Sequence, residues 1–187
     1  FSMASAELGV NVGVSGQLGV FQATATETEG STTASSRETT GKESAVAAYG
    51  YMSIFLEKTL GRVAIGVDYV PGSLETETYD RTRGDLLAET SGASSTVTQK
   101  VQVDFDNLMT GYVNLMVTDN FYLSAGLMNV DVTTNETLGT GSTYGNTSLT
   151  GSTYGFGYHH AFDNGMFMRA SAGIIQFDGK TLQSANG

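Results

Sequence analysis

The feature that most constrains this chain is a two-residue periodicity that returns seven times, its segments joined alternately by tight turns and by long polar loops. From Ala6 to Ala25, residues Leu8, Val10, Val12, Val14, Leu18 and Val20 share one parity, while Gly9, Asn11, Gly13, Ser15, Gln17 and Gly19 hold the other. Successive side chains of a strand point to opposite faces, so this run has one apolar face and one small or polar face. Thr24 to Glu43 follows without apolar pattern and is expected as a solvated loop. A second segment runs from Ala45 through Tyr49, Tyr51, Met52, Ile54 and Leu56 to a turn at Thr59-Leu60-Gly61. The third alternates Val63, Ile65, Val67 and Tyr69 with Ala64, Gly66 and Asp68, and stops at Pro71, which has no N–H to donate to a ladder. Gly72 to Val97 reads as a second long loop, with Glu75, Glu77, Asp80, Arg81, Arg83, Asp85 and Glu89. The fourth segment, Val101 to Val117, carries Val103, Phe105, Met109, Val113 and Leu115 on its odd positions, and Thr118-Asp119-Asn120 turns it into a fifth through Phe121, Leu123, Ala125 and Leu127. A third long loop spans Thr133 to Thr147. The sixth segment passes Tyr154, Phe156 and Tyr158 to a turn at Asp163-Asn164-Gly165, and the seventh runs from Met166 to Phe177.

Composition narrows what such strands can build. The 187 residues show no internal shift in composition, so residues 1–187 are read as a single domain. No stretch approaches the roughly 18 consecutive apolar residues that a membrane-crossing helix needs. A strand-built membrane protein escapes that test, because its outward and inward residues alternate and average to a bland composition. Cysteine is absent, which removes disulfides, thiolate metal sites and a cysteine nucleophile together. A formal charge of −10 opposes binding to nucleic acid. Ala4-Ser5-Ala6 has the small-x-small form found before secretory cleavage sites.

Three long loops alternating with three tight turns are the pattern of antiparallel strands in a barrel that shows one end to the periplasm and the other to the outside. The expected fold is therefore all-β, an antiparallel up-and-down transmembrane β-barrel with seven strands visible. Bacterial single-chain barrels have even strand numbers, so eight are expected in the complete chain, with the C-terminal strand or strands missing from a sequence that stops at Ser184-Ala185-Asn186-Gly187. The run Glu7-Leu8-Gly9-Val10-Asn11-Val12-Gly13-Val14-Ser15-Gly16, the phrase Gly66-Val67-Asp68-Tyr69-Val70-Pro71 and the stretch Asn135-Glu136-Thr137-Leu138-Gly139-Thr140-Gly141 resemble porin-like outer-membrane β-barrel proteins of marine alphaproteobacteria. The resemblance covers most of the chain and implies a barrel fold and a bacterial outer-membrane location.

In such a barrel Val10, Val12, Val14, Leu18, Met52, Ile54, Val63, Ile65, Val67, Val113, Leu115, Leu123, Leu127, Met168 and Ile174 face lipid, and none is charged. Phe121, Tyr158 and Phe162 lie near tight turns, where an aromatic girdle belongs. The opposite parity gives a polar lumen with Asn11, Ser15, Gln17, Ser53, Thr110, Tyr112, Asn114, Tyr122, Ser124 and Ser171. Asp104 and Asp106 also fall on the inward parity, near the outer rim. Arg169 is the basic residue inside an expected crossing and Asp68 its expected partner; the two form either a charged constriction that selects solutes or an ion pair that fills a narrow lumen.

Enzymatic patterns are thin, and the chain is read as not an enzyme. No Gly-x-Ser-x-Gly elbow sits at a strand-to-helix junction, and no phosphate-loop or dinucleotide pattern is present. His159 and His160 are neighbours on one strand and so point to opposite faces, which denies them a shared metal. Glu75, Glu77 and Asp80 lack the spacing of a calcium loop. No metal or cofactor is expected; outer-membrane lipid is the expected surrounding, small solutes the passengers if the lumen is open, and a homo-oligomer is compatible. The function expected is a porin-like barrel, for passive passage of small solutes or as envelope structure. The alternatives are a binding or adhesion barrel using its outer loops, and a soluble extracellular β-sandwich or fibre subunit.

Overall fold

A computed structural model describes residues 2–5, 9–29, 39–86, 94–137, 143–163 and 166–182. Among them the fold is all-β, with ten strands: β1 (Ser2–Ser5), β2 (Val10–Glu29), β3 (Thr39–Leu60), β4 (Val63–Tyr69), β5 (Leu74–Glu75), β6 (Tyr79–Leu86), β7 (Ser94–Met116), β8 (Phe121–Thr137), β9 (Thr147–Ala161) and β10 (Met166–Phe177). They form one sheet in the order β4-β3-β2-β1-β10-β9-β8-β7, and a β4–β7 ladder closes it into a ring. β5 and β6 continue the path of β4 along β7, beyond the break made by Pro71.

The seven strands expected from the sequence correspond to β2, β3, β4, β7, β8, β9 and β10, and two of them, β4 and β10, have the expected bounds. At the short-turn end, Gly61 adopts φ 63° between β3 and β4, and Thr118 Oγ1 accepts the N–H of Phe121 at 3.0 Å between β7 and β8. At the other end the strands run into stretches expected as loops. β2 and β3 stay paired as far as Glu29 and Thr39, and β6 pairs with β7 inside the acidic segment. These ladders are threonine-rich: Thr82 and Thr98 face each other across β6 and β7 with hydroxyls 2.9 Å apart. Two-stranded hairpins in water need no apolar stripe, so apolar alternation does not mark them. The turn expected at Asp163-Asn164-Gly165 lies partly outside the described residues.

The outward face carries the apolar set. Leu18 is 77 % exposed and Leu127 72 %, and Val12, Val14, Met52, Ile54, Ile65, Val67, Val113, Leu115, Leu123, Met168 and Ile174 are exposed with them. Val10 and Val63 are partly covered. The expectation fails for part of β7. Between Asp106 and Met109 the β7–β8 register slips by one residue, a bulge at which Asn107 takes φ 52°. One extra residue exchanges the two faces. Met109, Val113 and Leu115 point outward as expected, whereas Val103 and Phe105 turn inward and pack against an interior cluster. Asp104 and Asp106 are consequently displaced from the expected inward side to the outward side, where they accept from Asn135 Nδ2 at 2.5 Å and Thr133 Oγ1 at 3.3 Å on β8.

Candidate functional site

The inside of the ring has two layers, not the uniformly polar lumen expected. Toward the long hairpins it is apolar: Val70, Leu108, Met128, Val130 and Val132 are buried together, with Val130 wholly enclosed. Toward the short turns it is polar. The inward positions of β2, β3, β4, β7 and β10 place Gln17, Glu57, Asp68, Tyr112 and Arg169 within one hydrogen-bonded network.

Arg169 is its hub. Its guanidinium donates to Glu57 Oε2 at 2.9 Å and to the Tyr112 hydroxyl at 3.2 Å, and lies 3.8 Å from Asp68 Oδ2. Its carbon sits 3.8 Å from the centroid of the Phe55 ring, which adds attraction between the cation and the ring face. The Arg169 and Glu57 side chains are only 7 % and 8 % exposed. Charges that deep persist when hydrogen bonds replace the lost water. Glu57 Oε2 also accepts from the Tyr112 hydroxyl at 2.9 Å and Asn114 Nδ2 at 3.2 Å, and Asn11 Nδ2 reaches Oε1 at 3.5 Å. Asp68 Oδ2 accepts from Gln17 Nε2 at 3.3 Å; Gln17 in turn takes the Tyr51 hydroxyl at 3.0 Å and touches Ser53 Oγ at 3.3 Å. Ser53 donates to the Ser15 carbonyl.

Glycines opposite the tyrosines give the rings room. A methyl group built on Gly66 would lie 2.6 Å from Tyr112 Cζ, and one on Gly157 would overlap Tyr122. Each of these glycines is the direct cross-strand partner of the tyrosine it accommodates. The rings therefore lie flat on neighbouring strands and carry their hydroxyls toward the centre.

Of the lumen positions expected from the sequence, Asn11, Ser15, Gln17, Ser53, Thr110, Tyr112, Asn114, Tyr122, Ser124 and Ser171 are buried or half-buried inside the ring, whereas Asp104 and Asp106 are not on the inner face. Arg169 and Asp68 are brought together as expected, yet Glu57, absent from the expected set, is the closer partner. Its signal was in the sequence: Glu57 shares parity with Tyr51, Ser53 and Phe55 on a strand whose other face is Met52, Ile54 and Leu56. A turn set at Thr59 hid it by making Glu57 look like a strand end.

On the outside, at the short-turn end, Phe121 and Tyr158 meet edge to face with centroids 5.3 Å apart. His160 stacks on Tyr158 at 6.4 Å and meets Phe162 at 5.0 Å, which links the three expected aromatics into one cluster. His159 points the other way, its ring 4.6 Å from buried Phe167, so the two histidines do face opposite sides. Among the described residues, no group of three or more His, Asp or Glu is placed to hold a metal ion. No protein-family model, curated protein or solved structure matches this chain.

Proposed function

We propose that the chain is a bacterial outer-membrane β-barrel with a filled interior, akin to the porin-like barrels it resembles, serving as envelope structure instead of an open pore. The observation that carries this is the inversion of the ring: its exposed outer surface is a belt of Leu, Ile, Val, Met and Phe, while Arg169, Glu57 and Asp68 are buried at its centre. Water would favour the reverse arrangement, and lipid favours this one. The cluster of Phe121, Tyr158, His160 and Phe162 fits a headgroup-level girdle, with the short turns toward the periplasm and the long hairpins outside. The burial of the inward side chains and a cavity of only about 90 Å³ beside the Arg169 network, room for a few water molecules, support a filled barrel over a pore.

The test is behaviour in detergent and lipid. Purified protein should migrate faster unheated than boiled, insert into vesicles, and give no discrete conductance steps in planar bilayers. A protein that stays folded and monodisperse after detergent removal would exclude the barrel, and discrete steps would replace a filled barrel by a pore. A second reading, surface binding, draws on the length of the hairpins. β2 and β3 have 20 and 22 residues, and a crossing uses about 9 to 11.

A further inference from the structure

The slip in β7 does more than exchange two faces. Where the register shifts, Asp106 stands directly opposite Asp131, and Asp131 stands opposite Ser148 of β9. Two carboxylates and a hydroxyl thus form one row across three strands, on the outward face. Asn107 Nδ2 donates to Asp131 Oδ2 at 3.0 Å, and Thr133 Oγ1 donates to Asp106 Oδ2 at 3.3 Å. Both donors are neutral. Among the described residues no Lys, Arg or His forms a salt bridge with either carboxylate, although like charges directly opposite on a ladder repel.

Over this row lies a groove of about 630 Å³, bordered by Gly72 and Ser73 in the link between β4 and β5 and by Asn146 before β9. Gly72 takes φ 109°, a conformation that suits glycine, so no side chain crowds the groove from that edge. Asn146 Oδ1 accepts the Thr134 N–H at 3.3 Å, which leaves its amide nitrogen as the donor end. The volume lies within the range of about 300 to 1,000 Å³ usual for ligand sites, but the lining is almost wholly hydroxyl, amide and carboxylate. An apolar ligand gains little there. Nor is a metal ion the expected occupant, since among the described residues no group of three or more His, Asp or Glu is placed to hold one. The cation that suits this row is molecular, and the polar rim calls for hydroxyls on the same molecule.

We propose that the groove binds an amino sugar, with its ammonium between Asp106 and Asp131 and its ring hydroxyls exchanging hydrogen bonds with Ser73, Asn146 and Ser148. Cross-strand neighbours have Cβ atoms about 4.5 to 5.5 Å apart, and an ammonium reaches a carboxylate oxygen at about 2.7 to 2.9 Å, so one nitrogen spans the pair. An uncharged sugar leaves the two carboxylates facing each other. A small amine leaves the rim unfilled. The site is made by the bulge and by three adjacent strands, so it stands independently of what surrounds the ring.

The probe is glucosamine, titrated into folded protein in micelles and followed by calorimetry, with glucose, N-acetylglucosamine and ethanolamine as comparisons. Glucosamine should bind saturably, and each of the other three about tenfold or more weaker. D106N/D131N should weaken glucosamine about tenfold or more, whereas D119N, which removes an exposed carboxylate at the short-turn end, should leave it unchanged. S148F puts a ring into the groove beside Asp131 and should block binding with both carboxylates intact. Circular dichroism melts identify which variants are folded; where one is not, the comparison of the four ligands on native protein decides alone. Glucose or ethanolamine binding as tightly as glucosamine, no saturable binding by folded native protein, binding retained by folded S148F, or a loss in D119N as large as in D106N/D131N would each overturn the proposal.

Discussion

Arg169 shows what a single buried charge demands of its surroundings. Replacing it with Ala leaves Glu57 and Asp68 inside the ring without their cation, and removing one partner of a buried pair costs about 3 to 5 kcal/mol. R169A should therefore shift the denaturant midpoint strongly downward, measured by tyrosine fluorescence, since the chain has no tryptophan, or by gel migration in micelles. Adding E57Q to R169A should restore part of that loss; a double variant no better than R169A would mean that the pair contributes little. At Gly66 the limit is space: G66A forces the Tyr112 ring off its seat and should cost about 1 to 3 kcal/mol in the same assay. The polar inward residues were legible because each lies between two apolar neighbours on one strand. Glu57 carries the same parity signal but lies next to the turn at Thr59, so its inward place was passed over, and no local pattern announces its partners Tyr112 and Arg169, 55 and 112 positions away.

At the scale of the element, β7 is the informative strand. Its odd positions read as one apolar face from Val101 to Val117, but the bulge at Asn107 divides that face, sending Phe105 inward and Met109 outward. Both halves are apolar, so the sequence conceals the change of side; the residue that could have revealed it is Asn107, of the type that tolerates a left-handed conformation. N107G should leave stability nearly unchanged, while N107V, with a branched Cβ at φ 52°, should lose about 1 to 2 kcal/mol or more. Circular dichroism melts in micelles would compare them; equal melting of the two variants would show the bulge to be unstrained. The expected turns at Gly61 and Thr118 were legible because a tight turn needs particular residues. The length of the long hairpins was not, because their threonine-rich ladders lack the apolar contrast by which the ring-forming part of each strand was recognised.

For the whole molecule, the outer surface carries the strongest expectation. If lipid surrounds the ring, a charge on its outward face is costly only at mid-belt. L127R should lower the stability of protein folded in vesicles by about 2 to 4 kcal/mol, while the same change at Thr98, on the exposed long hairpin, should be near neutral. Equal tolerance at both positions would contradict a membrane setting. The seam where Gly16, Gln17 and Leu18 of β2 pair in parallel with Ala170, Ser171 and Ala172 of β10 has a kinetic meaning as well. Every other long-strand pairing joins neighbours in sequence or nearly so, but Gly16 and Ala170 are separated by almost the entire chain. Loop-closure entropy delays such a contact until the hairpins between have assembled. The seam is then the last part to form and the first to breathe, so its amides set the rate at which the ring is born and the place where it begins to come apart.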